Sequence, residues 1–171
     1  MPEKLNLSPN GLDILKDLEK FRSKTYPDAG GKPTIGYGHL IKSNERFLRA
    51  ITEDEGVALL KGDLKTAENY INATMAGKGS LNGGYRLTQH QYDALVLLVF
   101  NIGVTAFRSS TLLIYLQDGD MDEAAAQFLV WNKITVNGRK QVCQGLVARR
   151  GIERLVFIRD RKTSKNNSTT S

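Results

Sequence analysis

The spacing of hydrophobic residues along the chain predicts a mainly helical protein. Leucines at positions 12, 15 and 18 recur at near-helical spacing behind Ser8-Pro9, which suits a helix start because Ser caps and Pro lacks only a donor that the helix would leave unpaired. The patterns TEDE at residues 52–55 and TQHQ at residues 88–91 are capping boxes, which begin helices. Five helices are therefore predicted, over about residues 9–21, 53–73, 92–102, 120–131 and 146–161.

A glycine- and proline-rich segment, residues 24–48, interrupts this helical pattern with short β-prone pieces, as in hairpins. Its turn-forming residues are Pro27, Gly30, Gly31, Pro33, Gly36 and Gly38. The predicted fold class is α+β. It has a small β-containing N-terminal lobe (12–51), a long linking helix (53–73) and a larger helical C-terminal lobe (88–161), all within one domain of residues 1–161. The loop 77–85 and the polar tail 162–171 are predicted to be flexible.

The composition is that of a soluble globular protein. The chain has 171 residues, 40% hydrophobic and 25% charged, without the run of about 18 apolar residues that a transmembrane helix requires. Its charged N-terminus lacks the apolar region of a signal peptide, so we expect it to be made and kept in the cytoplasm. The single cysteine, Cys143, excludes an internal disulfide, and no metal-binding spacing is present. The net charge of +6 favours nucleic acid, an anionic membrane or an anionic cell wall as partner, although a basic surface without a partner is equally compatible.

Two carboxylates in different surroundings are the strongest chemical signal. Glu19 shares a helix face with Leu12 and Leu15, and a carboxyl held against apolar surface retains its proton more readily because desolvation penalises the charged form. Asp28 lies in the turn YPDAGGKP, where an ionised form is expected. Such a pair supplies the acid and the carboxylate that glycoside hydrolysis needs. The alternative is a helix-end residue paired with Arg22 or Lys24, followed by an ordinary turn aspartate.

The order of the motifs resembles a known family. Glu19, eight residues, Asp28, five residues and Thr34, followed by IGYGHL, resembles the catalytic signature of phage-type lysozymes, glycoside hydrolase family 24. The segments DALVLLVFNIGVTAFRSSTLL, DEAAAQFLVWNK and GLVARRGIERLVF resemble its central helix and C-terminal lobe. The resemblance covers about residues 12–159 in consistent order, and it implies a lysozyme-like fold.

The resemblance also implies roles for individual residues. Glu19 matches the general acid, Asp28 the acid at the opposite sugar face, and Thr34 the hydroxyl that helps to hold the attacking water. The positions implied to contact the saccharide are Leu40, Phe100, Ser110 and, where some relatives carry Asn, Gln127.

Two arginines and two histidines allow more than one interpretation. Arg149 falls on the apolar side of the last predicted helix, where a buried guanidinium needs a carboxylate. The resemblance suggests that Arg149 pairs with Glu19, and Arg150 is the competing candidate for the same pairing. Alternatively, both arginines lie on the surface. His39 is interpreted as structural, bonding a nearby acid, and His90 as exposed. Two histidines so far apart give no zinc motif.

The resemblance implies an endolysin that hydrolyses the β-1,4 bond between N-acetylmuramic acid and N-acetylglucosamine in bacterial peptidoglycan, causing host lysis and release of phage progeny. This chemistry needs no cofactor or metal. The expected partner is the glycan strand, reached from the host cytoplasm with the help of a membrane-permeabilising holin. The protein is expected to be a monomer that binds no nucleic acid and does not insert stably into membranes.

An inverting mechanism is predicted because the two acids belong to different elements, which leaves room for a water. Inverting enzymes hold their carboxyls about 6.5–9.5 Å apart and retaining enzymes about 5–5.5 Å apart. Three alternatives remain. They are a wall-binding module without activity, a basic nucleic-acid binder, which would need a basic stripe with interleaved aromatics, and a lytic transglycosylase, which would not need Asp28 or Thr34. The products distinguish hydrolysis, transglycosylation and binding alone.

Overall fold

The computed structural model of the protein describes residues 4–76 and 86–160. The chain divides into two compact units, of which the smaller is Leu12–Thr66 and the larger combines Met1–Gly11 with Ala67–Ser171. Both units contain helices and a small antiparallel sheet, which confirms the predicted α+β class. The predicted lobe limits stay predictions, and the loop 77–85 and tail 162–171 fall outside the described residues.

A helix end and a three-stranded antiparallel sheet form the start of the smaller unit. The elements follow one another in the order α1 (Pro9–Glu19), β1 (Arg22–Pro27), β2 (Pro33–Gly36) and β3 (His39–Leu40). In the sheet, β2 lies between β1 and β3, and Thr34 of β2 pairs with Tyr26 on one side and Leu40 on the other. The glycine- and proline-rich segment therefore forms hairpins as predicted. The buried hydrophobic residues of this unit are Leu15, Ile35, Tyr37, Ile51, Leu60 and Leu64.

The start of α1 is fixed by a residue far along the chain. The hydroxyl of Ser8 accepts a hydrogen bond from the Gly11 N–H at 3.0 Å, which is the predicted N-cap. The same hydroxyl donates to Oδ2 of Asp93, and the Ser8 backbone N–H donates to Oδ1 of Asp93 at 3.0 Å. A Cβ at Gly11 would lie 2.9 Å from Cγ of Asp93, so this close approach requires glycine.

The long helix α2 (Glu53–Ala76) begins at the predicted capping box. The Glu55 N–H donates to the Thr52 hydroxyl at 3.2 Å, and the Thr52 N–H donates to the Glu55 carboxylate at 2.8 Å. Three acidic residues in the first turn also complement the helix dipole. The helix runs three residues beyond the predicted end at residue 73.

Short helices surround a buried one in the larger unit. After α2, its elements are α3 (Gln89–Ile102), α4 (Val104–Arg108), α5 (Thr111–Asp118), α6 (Met121–Gln127), a 3-10 turn (Phe128–Val130), β4 (Lys133–Val136), β5 (Arg139–Val142) and α7 (Gln144–Phe157). The capping box at Thr88 starts α3 as predicted, and the nine residues 91–99 of this helix are all buried. A helix that is hydrophobic nearly all round is typical of a core centre.

The hairpin of β4 and β5 was not predicted. Its turn carries Asn137 and Gly138 with φ of +49° and +75°, the left-handed pair of a type I′ turn. Every residue of both strands is exposed, so the hairpin buries no apolar face, although Ile134 and Val136 alternate with polar residues in β4. The last helix also begins at residue 144 instead of about 146 and ends at Phe157, four residues before the predicted Arg161. Within the described residues, no helix combines the length and the apolar character needed to cross a membrane.

Candidate active site

Glu19 is the last residue of α1, and its side chain is half-buried. The helix ends here because Lys20 adopts a left-handed conformation with φ of +60°, and the Lys20 N–H bonds the Lys16 carbonyl at 2.9 Å. The β2–β3 turn lies against the carboxylate, since a Cβ added at Gly38 would come within 3.3 Å of Glu19 Oε2. Gly38 also has φ of +78°, so both its backbone conformation and the proximity of the Glu19 carboxylate favour glycine at this position.

Asp28 occupies the loop between β1 and β2 and uses one carboxylate oxygen to shape it. Its Oδ1 accepts hydrogen bonds from the N–H groups of Gly30 and Lys32, both at 2.8 Å. Its backbone N–H donates to the Lys32 carbonyl at 2.9 Å. In the part of the chain that the structure describes, Oδ2 of Asp28 has no hydrogen-bond partner. Oδ1 of Asp28 therefore stabilises the turn, which was the alternative interpretation from the sequence. Oδ2 remains available for a substrate or a water.

Thr34 stands at the start of β2 and is linked to Asp28 through Lys32. Its hydroxyl donates to the Lys32 carbonyl at 3.0 Å, and the residue is only 2% exposed. A threonine hydroxyl has one proton, so this bond commits it and leaves the oxygen as an acceptor. Lys32 thus holds both predicted site residues, Asp28 through its N–H and Thr34 through its carbonyl. Sequence reasoning did not single out Lys32, because it contributes only backbone atoms.

A cluster of Lys16, Tyr37 and Glu53 lies next to these groups within the smaller unit. Oε1 of Glu53 accepts the Tyr37 hydroxyl at 2.8 Å and contacts Lys16 Nζ at 3.0 Å. The hydrogen bond from Tyr37, followed by that from Lys16, lowers the pKa of the Glu53 carboxyl. Burial and the Glu53 carboxylate together raise the pKa of Tyr37, which is 4% exposed.

Comparison with known proteins identifies the family of this site. The Phage lysozyme family matches residues 16–153. The chain is 38% identical over 153 residues to an endolysin of Acyrthosiphon pisum secondary endosymbiont phage 1, covering 90% of this chain and 98% of that one. The chain belongs to the phage lysozyme family. The resemblance seen in the sequence is thereby confirmed.

Two further phage lysozyme relatives define how far the likeness extends. An endolysin of Bacillus phage B103 is 36% identical over 156 residues, which cover 90% of this chain but about half of that relative (54%). The solved structure of an endolysin from Escherichia coli O157:H7 phage FAHEc1 superposes with a TM-score of 0.81 at 30% identity, covering 94% of this chain and 98% of that one. The lysozyme-like fold is confirmed by this match.

The other residues predicted to contact saccharide are spread over both units of the chain. Leu40 lies on β3 of the smaller unit and is 48% exposed. In the larger unit, Phe100 is half-buried on α3 and Gln127 is the half-buried last residue of α6. Ser110 caps α5: it is 5% exposed, and its hydroxyl donates to the Phe107 carbonyl at 2.7 Å. The roles of all four in saccharide binding stay predictions.

Arg149 and Arg150 are both buried, so the surface interpretation is wrong. Both arginines contact the carboxylate of Glu153, which accepts from Arg149 Nε at 3.1 Å and from Arg150 Nη1 at 2.6 Å. The pairing of either arginine with Glu19 stays a prediction. Arg150 also donates to the side-chain carbonyl of Asn101 on α3. Glu153 was missed, although its spacing of three and four residues from the two arginines is that of an ion pair within a helix.

His39 has the structural role that was predicted. It is 3% exposed and lies between Asp63, at 2.8 Å from Nδ1, and Glu45, at 2.9 Å from Nε2. Burial alone would lower the pKa of His39, but the hydrogen bonds to both carboxylates outweigh it and raise the pKa. His90 is not freely exposed as predicted, since its Nδ1 contacts Asp160 at 2.8 Å and a third of its side chain is accessible. Among the described residues, no group of three or more His, Cys, Asp or Glu could hold a metal ion.

Proposed function

We propose that the protein is an endolysin that hydrolyses the β-1,4 bond between N-acetylmuramic acid and N-acetylglucosamine of peptidoglycan, lysing the host cell and releasing phage progeny. The observation that carries the proposal is the arrangement of three groups in one small unit. Glu19 ends a helix against Gly38, while Asp28 and Thr34 are joined through Lys32. The endolysin relatives support the same substrate.

Glu19 acts as the general acid in this proposal. It donates its proton to the glycosidic oxygen as the bond from that oxygen to the anomeric carbon breaks, so the departing sugar leaves as a neutral alcohol. Gly38 covers the carboxylate from the side of the turn. The missing Cβ of this glycine allows the backbone to approach closely without pushing the acid away.

Asp28 and Thr34 hold the attacking water. Since the Thr34 proton is committed to the Lys32 carbonyl, Thr34 can meet a water only as an acceptor, and Oδ2 of Asp28 is an acceptor as well. A water that donates both of its protons to these oxygens points a lone pair towards the anomeric carbon. Attack forms the new carbon–oxygen bond, and a proton passes to Asp28. The mechanism that this arrangement supports is inverting, with the first reducing end in the α configuration.

The products of purified peptidoglycan test the proposal. We expect new reducing ends with the unaltered protein, and early NMR spectra that contain the α anomer first. Glu19→Gln should lower the rate by at least about 100-fold, since general acid catalysis is typically worth about 10²–10⁴-fold. Asp17→Asn is the matched control, because Asp17 is an exposed carboxylate on the same helix and should retain full activity.

Each of the other outcomes of this experiment would indicate a different function or mechanism. Anhydro sugars would indicate a lytic transglycosylase, and binding without products would indicate a wall-binding module. A first-formed β anomer would make Asp28 a nucleophile and remove the role proposed for Thr34. If Glu19→Gln retained half of the wild-type rate, the assignment of Glu19 as the general acid would be refuted.

The route to the wall is part of the proposal. The protein is proposed to act as a monomer that starts in the host cytoplasm and needs a holin to reach the glycan strands. Cells that make the protein alone should remain intact until their membrane is permeabilised with chloroform and should then lyse. Cells that make Glu19→Gln should survive the same treatment without clearing. Lysis without permeabilisation would contradict the dependence on a holin.

A further inference from the structure

Side-chain contacts connect the helix that carries Glu19 to the turn that lies against its carboxylate. Lys16 lies three residues before Glu19, so both side chains project from neighbouring points of one helix face. Lys16 contacts Glu53 at 3.0 Å, and the Tyr37 hydroxyl donates to the same oxygen of Glu53 at 2.8 Å. Tyr37 precedes Gly38, whose backbone lies against Glu19. These contacts therefore connect α1, which ends in the proposed catalytic acid, to the turn that covers this acid.

The aromatic ring of Tyr37 is confined as well. Its centroid lies 5.3 Å from that of Phe21, at an interplanar angle of 46°. The start of α2 packs tightly against the same pair, because a Cβ added at Gly56 would lie 2.7 Å from Phe21 Cε2 and 3.6 Å from Tyr37 Cδ2. Nζ of Lys16 lies 5.9 Å from the Tyr37 centroid. Because the aromatic ring is confined, the hydrogen bond from the Tyr37 hydroxyl to Glu53 determines the exact position of the turn that follows Tyr37.

We infer that Lys16, Tyr37 and Glu53 are positioning residues for the general acid. Through Oε1 of Glu53 they tie the β2–β3 turn to α1 and so hold Gly38 against Glu19. The inference rests on the proposed function, because the group that they position is its catalytic acid. In this inference the three side chains act through the turn and are given no role in the reaction itself.

The burial of the cluster favours positioning over a contribution to stability. The side chain of Glu53 is 59% exposed and that of Lys16 27% exposed, and exposed ion pairs contribute little to stability. Tyr37 is 4% exposed, and a hydroxyl on a buried ring requires a partner with fixed geometry. A small displacement of the turn thus costs little folding energy but changes the surroundings of the acid.

Tyr37→Phe tests the inference with the smallest change, since it removes only the hydroxyl. In the full-length protein we expect kcat on labelled peptidoglycan to fall about 10-fold while KM changes less than twofold. This is less than the roughly 100-fold that a 1 Å misplacement can cost. Thr52→Ala is the matched control: it weakens the start of the same helix through the capping box but leaves the Tyr37–Glu53 bond intact. Its kcat should remain unchanged.

A pair of substitutions at Glu53 separates positioning from helix stabilisation. Glu53→Gln keeps an oxygen that accepts from Tyr37 and Lys16 but removes the charge, and it should recover most of the kcat that Glu53→Ala loses. If Glu53 served only the helix dipole, the charge would matter and Gln would be as harmful as Ala. Equal losses in the two variants, or a kcat loss in Thr52→Ala matching that of Tyr37→Phe, would overturn the inference.

A measurement without substrate keeps this test independent of the proposed function. In the unaltered protein we expect a nuclear Overhauser effect between the Gly38 Hα and the Glu19 Hγ protons. The effect should weaken in Tyr37→Phe and Glu53→Ala and persist in Thr52→Ala. An unchanged effect in all three variants would refute positioning even if the protein hydrolyses peptidoglycan. An inactive wild-type protein would refute the proposed function. The change in the nuclear Overhauser effect would then alone decide whether the three residues position Gly38 against Glu19.

Discussion

Replacing Gly38 by alanine isolates the contact between the β2–β3 turn and the proposed acid. The new Cβ would lie 3.3 Å from Oε2 of Glu19, so the carboxylate or the turn must shift by a few tenths of an ångström. If a 1 Å misplacement costs about 100-fold, such a shift should lower kcat about 3–10-fold. Alanine at φ of +78° should also cost about 1–2 kcal/mol of stability.

Gly138→Ala is the control for this backbone cost. Gly138 has a similar φ of +75°, but a Cβ there would meet nothing within 4 Å, and it lies in the β4–β5 turn. Urea unfolding should show similar losses of stability in both variants, whereas turnover of labelled peptidoglycan should fall only in Gly38→Ala. If the two variants lost kcat equally, or if Gly38→Ala retained it fully, the contact with Glu19 would not matter to catalysis.

Three further predictions concern other parts of the molecule. The carboxylates of Asp63 and Glu45 raise the pKa of His39, so this histidine should stabilise the folded protein fully below its unfolded pKa of about 6.5 and lose that effect as pH rises through the folded pKa. Urea unfolding between pH 5.5 and 8.5 should show this decline in the free energy of unfolding, and His39→Gln should flatten it. Glu153→Gln removes a buried carboxylate that accepts from both guanidinium groups and should cost about 3–5 kcal/mol in urea unfolding, so a loss below about 1 kcal/mol would contradict the buried ion pairs. Thr34→Val should lower kcat on labelled peptidoglycan at least about 10-fold. The free energy of unfolding should change by less than about 1 kcal/mol, because the Lys32 carbonyl still accepts a hydrogen bond from the Asp28 N–H. An unchanged kcat would remove Thr34 from the mechanism.

Helix starts could be predicted from the sequence better than helix ends. The starts at Thr52 and Thr88 follow from side chains that bond backbone three residues away, which is local chemistry. The end of α7 at Phe157 is not marked by glycine or proline, so periodicity alone extended it to Arg161. The β4–β5 hairpin was missed because its strands are exposed on both faces, although Asn137-Gly138 is the strongest short turn signal available.

The candidate site divides in the same way. Glu19 and Asp28 were predicted from their surroundings, and the resemblance added Thr34, because all three lie within one short segment of chain; their catalytic roles stay predictions. The partners of the cluster were not predicted, since Lys16 and Glu53 are separated by 37 positions and meet only after the turn has folded between them. Contacts that depend on tertiary packing leave no local pattern in a single sequence.

The bond between Ser8 and Asp93 has a consequence for synthesis on the ribosome. It closes a loop of 85 residues, and such distant contacts are slow to form because the intervening chain must first be ordered. The helix that ends in Glu19 emerges early, yet the carboxylate that holds its N-cap residue is translated much later. A nascent chain shorter than about 93 residues therefore lacks the carboxylate that holds Ser8, the N-cap of the helix that carries Glu19. The contacts that fix the helix of the proposed acid can therefore form only after more than half of the chain has been translated.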